Sequence, residues 1–214
     1  ASLNTAIGYM AMLNTTSGNS QVAVGACAMY TNTTGGDNVA IGNEAMRFNT
    51  TGANSVAIGK DAMQCNTTAT CNTAVGFKAS TLNKIGAHNV ALGACALYTN
   101  TGSKNSSVGS MTLRQNTSGC KNSAIGYQAL LNNTEGILNT ASGVYALYGN
   151  TTGEGNTATG VSSMLCNTTG CYNTSIGFNA LKLNTTASSN TALGYDALQA
   201  NTTGTYNVAV GTQS

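Results

Sequence analysis

Seven cysteines are the residues with the clearest capacity for chemistry in this sequence. Cys65 and Cys71 flank one Asn-Thr-Thr turn, and Cys166 and Cys171 flank another. Residues on the two sides of a short turn lie close together, so each pair is predicted to form a disulfide, which needs a Cα separation below about 7 Å. Two such bonds would indicate an oxidising, extracellular environment. Two unlinked thiol pairs remain the alternative.

The other cysteines suggest no metal site. Zinc needs four ligands, and no histidine or second cysteine pair lies near enough in the sequence to complete such a set. Cys27 and Cys95 occupy equivalent places four repeats apart. They are interpreted either as small buried side chains or as links to another chain. Cys120 has no evident partner.

Asparagine in the pattern Asn-x-Ser/Thr is the second group with potential chemistry, because this pattern accepts N-linked glycans. The candidates are Asn14, Asn32, Asn49, Asn66, Asn116, Asn150, Asn167, Asn184 and Asn201, and the pattern also fits Asn105, Asn132 and Asn173. Most belong to a recurrent turn, where an acceptor is expected to be exposed, so a sugar-coated chain is one interpretation. Asn-Thr-Thr is also good turn chemistry without any glycan, and both interpretations stay open.

No catalytic set emerges from the remaining polar residues. His88 is the only histidine, the six acidic residues are scattered, and neither a phosphate-binding loop nor a nucleophile elbow occurs. Adjacent turn threonines such as Thr151 and Thr152 point in different directions, whereas an ice-binding array needs threonines two apart on a strand. The sequence therefore predicts a protein that is not an enzyme and needs no cofactor or metal.

Aromatic residues recur at two places of the repeat. They stand just after a repeated glycine or five residues after it: Tyr9, Phe77, Tyr127, Phe178 and Tyr195 in the first place, and Tyr30, Tyr98 and Tyr148 in the second. Exposed stripes of this kind would stack on sugar rings or hold a partner protein. Half-buried aromatic residues would only pack.

Composition limits the partners of the chain. Charged residues make up 7% of its 214 residues and form no run of either sign, which argues against a nucleic acid or an anionic membrane surface. No apolar stretch is long enough to cross a bilayer. No signal peptide is visible, since Ala1 already lies within the first repeat; a mature product or an excerpt of a longer fibrous chain is expected.

The element that must position all of these residues is a tandem repeat. One glycine recurs every 17 residues, except for a step of 16 between Gly93 and Gly109: Gly8, Gly25, Gly42, Gly59, Gly76, Gly93, Gly109, Gly126, Gly143, Gly160, Gly177, Gly194 and Gly211. A unit this short cannot bury a core alone and must stack on its neighbours. The repeat predicts an all-β, parallel β-solenoid of about thirteen coils that forms one domain over residues 1–214, apparently uncapped at both ends.

Each coil is expected to hold two strands and two turns. The segment Asn-Thr-Ala-Ile-Gly reads as a strand, the following x-x-Ala-Leu-x-x as a second short strand or irregular arm, and Asn-Thr-Thr-Gly as a turn. The alanine before the Ile-Gly pair is predicted to face the coil interior. The β-branched residues beside it would face another chain or the opposing arm. The replaced turn Lys84-Ile85-Gly86 and the hydroxyls of Ser142 and Thr159 mark either local weak points, ligand contacts or ordinary repeat drift.

The phrases Asn54–Gly59, Asn38–Gly42 and Asn207–Gly211 resemble the head repeats of YadA-type trimeric autotransporter adhesins. Asn190–Leu198 is similar to repeats of phage tail fibres and other surface fibres. This resemblance covers the whole chain and implies a left-handed parallel β-roll, with three chains side by side, that serves as an extracellular adhesive or receptor-binding shaft. The 17-residue coil is longer than that of the adhesin heads.

These features together predict an extracellular fibre segment at a cell surface, in a secreted fibre or in a virion. Its expected partners are further copies of itself, as a homotrimer or an end-to-end filament, and a cell-surface receptor or glycan. No nucleic-acid binding and no membrane insertion are expected. The alternative is a polymerising filament or matrix protein, with or without glycans, that binds no specific receptor.

Overall fold

The computed structural model describes residues 3–214 and consists of thirteen three-residue strands joined by turns. The strands are β1 (Thr5–Ile7), β2 (Val22–Val24), β3 (Val39–Ile41), β4 (Val56–Ile58), β5 (Thr73–Val75), β6 (Val90–Leu92), β7 (Ser106–Val108), β8 (Ser123–Ile125), β9 (Thr140–Ser142), β10 (Thr157–Thr159), β11 (Thr174–Ile176), β12 (Thr191–Leu193) and β13 (Val208–Val210). The described part of the chain contains no helix.

All strands belong to one parallel sheet in which each strand pairs with the next in sequence. The register repeats without a shift, so that Ala124 of β8 pairs with Ala141 of β9, and Ala141 pairs with Ala158 of β10. This arrangement confirms the predicted all-β, parallel solenoid with a 17-residue repeat. The handedness and the division into a single domain stay predictions.

The middle residue of each strand from β2 to β12 faces the interior of the column. It is alanine in most coils and serine at Ser107 and Ser175, and its exposed fraction is at most 1%. The first and third residues of each strand therefore point outward, as alternation along a strand requires. The predicted interior alanine ladder is confirmed.

The second arm of the coil is not a strand, which corrects the strand–turn–strand–turn prediction. Its adjacent residues, such as Ala146 and Leu147, are both completely buried, whereas successive residues of a strand point to opposite sides. The chain achieves this by placing Tyr145 and Leu147 in the left-handed region, with φ of 58° and 52°. Turns replace the strand because both apolar side chains must enter the same narrow core.

Two ladders of buried asparagines fill the rest of the interior. In the first, Asn150 Nδ2 donates to Asn133 Oδ1 (2.8 Å) and to the carbonyl of Gly153 (3.0 Å), and Asn167 Nδ2 donates to Asn150 Oδ1 (2.9 Å). In the second, the backbone N–H of Asn139 donates to Asn122 Oδ1 (2.9 Å). These contacts connect successive coils without any charge.

The turn of one coil is held by the turn of the next. The backbone N–H groups of Thr134, Glu135 and Gly136, and the hydroxyl of Thr134, all donate to the carbonyl of Thr151 at 3.0–3.1 Å. Such convergence of four donors on one acceptor explains why the turn sequence is repeated: each turn supplies the carbonyl that the preceding turn binds.

The coil that carries the replaced turn interrupts the first ladder. Asn66 Oδ1 is buried without a partner, because the Nδ2 of Asn83, which would bind it in a continuous ladder, donates only to the carbonyl of Gly86 (2.8 Å). In the same coil Ser80 stands at the core position that holds Met63 and Leu97 in the neighbouring coils, and its buried hydroxyl also lacks a partner. The expectation of a local weak point here is consistent with these two defects.

Replacing Ser80 with methionine is expected to stabilise the column by about 1–3 kcal/mol, because it removes a buried unpaired hydroxyl and adds apolar contacts where the core is thin. Chemical denaturation of the variant should show a higher midpoint. The same change at the exposed Ser118 serves as the control and should leave the midpoint in place. An unchanged or lower midpoint for Ser80→Met would show that the neighbouring side chains already fill this space.

Candidate interaction surfaces

The outward side of the sheet is the most extensive surface of the column. From β2 to β6 its first and third strand positions carry Val, Ile or Leu, with one threonine; we call this stretch the aliphatic face: Val22, Val24, Val39, Ile41, Val56, Ile58, Thr73, Val75, Val90 and Leu92. Ile41, Ile58 and Val75 are each 36–38% exposed. A row of aliphatic side chains is thus left uncovered along five consecutive coils.

The same side changes character at β7. There the first strand position becomes Ser or Thr and stays so through β12; we call this stretch the hydroxyl face: Ser106, Val108, Ser123, Ile125, Thr140, Ser142, Thr157, Thr159, Thr174, Ile176, Thr191 and Leu193. The hydroxyl face carries no charged residue. Ser142 and Thr159, singled out as departures from the repeat, both lie on it.

Aromatic residues border the sheet on the side of the repeated glycines. Phe178 and Tyr195, in consecutive coils, stack with ring centroids 5.5 Å apart and planes 6° apart. Tyr127 and Tyr145 meet edge to face at 5.7 Å. The exposed fractions of these border rings lie between 42% and 70%, so the rings are open to solvent and available for contact: Tyr9, Phe77, Tyr127, Phe178 and Tyr195.

A groove of about 470 Å³ opens beside this border. It is lined by Tyr145 and Tyr148, which meet edge to face with centroids 5.7 Å apart, and by Leu165 and Cys166. Gly149 opens the groove, since the same place in other coils holds a side chain such as Thr99. The recurrence of Tyr148 in the repeat does not reveal the groove by itself; the sequence signal for the groove is the break in the repeat at Gly149.

Charges cluster on the second arm rather than on the sheet. Glu44 and Arg47 form an ion pair at 3.0 Å, and the Arg47 guanidinium lies 5.0 Å from the ring centroid of Phe48. Arg114 lies over Tyr98 in a similar way, at 5.8 Å. Arginine is thus used to cover aromatic rings, and its charge is not presented as a basic patch.

Two ionisable groups have displaced pKa values. The hydroxyl of Tyr172 donates to Glu154 Oε1 (2.6 Å); this hydrogen bond, with the nearby negative charge, raises the pKa of Tyr172. Burial raises the pKa of the Cys65 thiol, and the positive charge of Lys84 partly opposes the change. Neither group is thereby activated, because both are held in the protonated form.

The two predicted disulfides are not formed, and all seven cysteines are free thiols in the structure. Cys166 lines the groove of Tyr148, whereas the thiol of Cys171 donates to the carbonyl of Thr169 (3.2 Å) and accepts from the backbone N–H of Glu154 (3.4 Å). Cys65 is half-buried and Cys71 is exposed. Closeness in the sequence across a turn does not bring these two thiols together, because the side chains of Cys166 and Cys171 have different neighbours.

The expected exposure of the glycan acceptors is wrong at most positions. The side chains of Asn32, Asn49, Asn66, Asn116, Asn150, Asn167 and Asn184 are completely buried. Their Nδ2 atoms, which would carry the sugar, belong to the interior ladder, as in the bonds of Asn49 to Asn32 and of Asn116 to Asn100, both at 2.6 Å. A glycan on these residues is incompatible with this fold. Asn14 is exposed and Asn132 is half-buried outside the ladder, so the prediction stays open at these two residues. Asn201 is half-buried, but its Nδ2 donates to Asn184 Oδ1 (3.3 Å).

The repeated glycines occupy the places where successive coils come closest. All thirteen have φ between +126° and +143°, a range that L side chains rarely adopt.

Within residues 3–214 no group of three or more His, Cys, Asp and Glu residues is placed to hold a metal ion. A search of the same residues found no helix that could cross a membrane.

The chain matches no protein-family model, and it matches neither a curated protein nor a solved structure. The similarity to adhesin and fibre repeats accordingly rests on the sequence phrases alone.

Proposed function

We propose that this chain is a segment of an extracellular fibre in which several copies associate through the aliphatic face. The observation that carries the proposal is the row of exposed aliphatic side chains on β2–β6, of which Ile41, Ile58 and Val75 are more than one-third exposed. Five strands about 4.8 Å apart, each about 10 Å long, present roughly 240 Å² of mainly apolar surface. This area approaches the roughly 300–600 Å² of the largest apolar patch on a typical monomer, which is often functional.

The shape of the column supports a fibre. Thirteen coils at about 4.8 Å each extend over roughly 60 Å, and every coil contacts only its neighbours, as the strand order shows. A solenoid of this kind provides length and repeated surface rather than an enclosed pocket. The absence of charge from the aliphatic face favours a second copy of the same surface over a charged partner.

A ligand-binding role at a cell surface is the second part of the proposal. The groove lined by Tyr145 and Tyr148 supports it, because half-buried aromatic rings with hydroxyl groups can pack against sugar rings or a partner's apolar side chains. The filament that binds no receptor is the competing function. Such a filament would self-associate in the same way as the proposed fibre, but it would bind no ligand in this groove.

Ile58→Lys tests the self-association. Ile58 lies on the third position of β4 in the middle of the aliphatic face, and a lysine there would place like charges against each other in an assembly of identical chains. Sedimentation velocity is expected to show oligomers for the unmodified chain and mostly monomers for Ile58→Lys. Ile85→Lys is the matched control, because Ile85 is 65% exposed on a turn away from the sheet, and it should leave the oligomers intact.

Two outcomes would contradict the proposed association. A monomeric unmodified chain at high concentration would refute association through this face. Equal dissociation by Ile58→Lys and Ile85→Lys would show that the assembly does not depend on the aliphatic face.

A further inference from the structure

The hydroxyl face of β7–β12 combines free hydroxyl groups with exposed aliphatic groups in a regular array. Its first strand positions are all Ser or Thr. Its third positions are aliphatic on β7, β8, β11 and β12 and carry hydroxyls only at Ser142 and Thr159. Thr140, Thr159 and Thr191 are exposed, as are Ile125 at 51%, Ile176 at 41% and Leu193 at 44%. A surface of this composition can contact water through both kinds of group.

The hydroxyls of this face are available, which distinguishes them from those of turn threonines such as Thr151 and Thr168. In the turns, Thr151 and Thr168 donate their hydroxyls to the carbonyl of the next coil at 3.1 and 3.0 Å. No such bond is made, anywhere in residues 3–214, by the side-chain hydroxyls of Thr140, Thr157 or Thr159. Each of these groups can still donate one hydrogen bond and accept two.

The spacing of these hydroxyls is fixed by the sheet. Thr140, Thr157, Thr174 and Thr191 pair in register from β9 to β12, so their hydroxyls repeat about every 4.8 Å along the column. The first and third positions of one strand are about 6.6 Å apart. The hydroxyls thus form a grid of two columns on β9 and β10 and a single column on the rest of the face. Its spacings are similar in scale to those of the oxygen grid on a face of hexagonal ice.

Charge would disrupt such a grid, because an ion orients its own shell of water. The hydroxyl face has none, and the residues that follow its glycines, among them Tyr127, Val144, Val161 and Phe178, are uncharged as well. Aliphatic and methyl groups between the hydroxyls restrict the orientation of neighbouring water. The face therefore combines two effects: its aliphatic and methyl groups order the first layer of water, and its hydroxyls hold that water by hydrogen bonds.

We propose that the hydroxyl face of β7–β12 binds ice. Water ordered between its hydroxyl and methyl groups merges with the lattice of a growing crystal, and the adsorbed column blocks growth at that place. Turn threonines such as Thr151 and Thr168 take no part, since their hydroxyls are already bonded within the column. This activity is independent of the fibre function, which uses β2–β6.

Thermal hysteresis, the gap between the melting and freezing temperatures of a single ice crystal, tests the proposal on the purified full chain. The unmodified protein is expected to open this gap and to inhibit ice recrystallisation. Thr159→Lys places a charged side chain in the middle of the grid and should remove most of the gap. Thr157→Val, which keeps the shape and removes one hydroxyl, should reduce it.

Thr152→Lys is the matched control in the same coil, because Thr152 is exposed on the turn, and it should retain the full gap. Circular dichroism of each protein establishes that the column is folded. A folded unmodified chain without hysteresis would overturn the proposal. So would an unaffected gap in both Thr159→Lys and Thr157→Val, or an equal loss in Thr152→Lys.

Discussion

Gly126→Ala is expected to lower the free energy of unfolding by about 3–5 kcal/mol, which is a large effect for one methyl group. Gly126 has φ of +127°, a conformation that alanine adopts only under strain. An added Cβ would lie 2.5 Å from the carbonyl oxygen of Gly143 and 2.7 Å from its carbonyl carbon. Backbone atoms cannot move aside as a side chain can, so the two coils must separate.

The consequence should extend beyond one residue. Coils of a solenoid stabilise each other through nearest-neighbour contacts, so a weakened contact between β8 and β9 is expected to divide unfolding into two steps. Urea denaturation followed by hydrogen exchange would show loss of protection first around this junction. Gly36→Ala is the control: its added Cβ would lie 3.3 Å from the nearest atom, and the effect should stay below about 1 kcal/mol. Equal stabilities of the two variants would contradict the stacking account.

Asn150→Ala is expected to cost about 2–5 kcal/mol, because it leaves two buried groups unpaired at about 1–3 kcal/mol each. These are Asn133 Oδ1 and one N–H of Asn167, which bond to Asn150 at 2.8 and 2.9 Å. Chemical denaturation measures the loss. Asn132→Ala in the preceding coil is the control, since the Asn132 side chain is half-buried and outside the ladder; it should change stability by less than about 0.5 kcal/mol.

Asn150→Asp adds a pH dependence that Asn150→Ala lacks. In this variant a carboxyl oxygen replaces Asn150 Nδ2 and would face two acceptors, Asn133 Oδ1 and the Gly153 carbonyl. Burial and repulsion should therefore raise the pKa of the new carboxyl above its unfolded value of about 3.9. A group with a raised folded pKa binds its proton more tightly in the folded state. The variant should therefore be most stable at low pH and lose stability as the pH rises through the folded pKa. A pH-independent cost would show that the ladder position is open to water.

The parallel column and its inward alanines follow directly from the sequence, because a 17-residue unit can bury its apolar side only by stacking. The second arm was harder to foresee. Its adjacent pair, such as Ala146 and Leu147, was compatible with an irregular arm, but a strand was preferred since nothing in the residue types announces left-handed φ values at Tyr145 and Leu147. The buried pair itself was the signal, as no strand can bury two neighbours on one side.

The candidate sites were less predictable, because their residue types fit two opposite environments. Asn-Thr-Thr suits an exposed, glycosylated turn, yet the asparagine of this turn, as at Asn150, lies in the interior and bonds to its own repeat copies. A single coil considered alone gives no reason for that choice. Only the stack provides the acceptor at the correct distance, and the same stack separates the aliphatic from the hydroxyl face at β7.

Electron cryomicroscopy of the purified chain would test most directly the claim that identical columns associate through the aliphatic face. The account predicts particles in which two or more columns, each about 60 Å long, lie side by side with β2–β6 in the contact and the hydroxyl face at the surface. Single isolated columns at all concentrations, or assemblies that leave Ile41 and Ile58 uncovered, would contradict it.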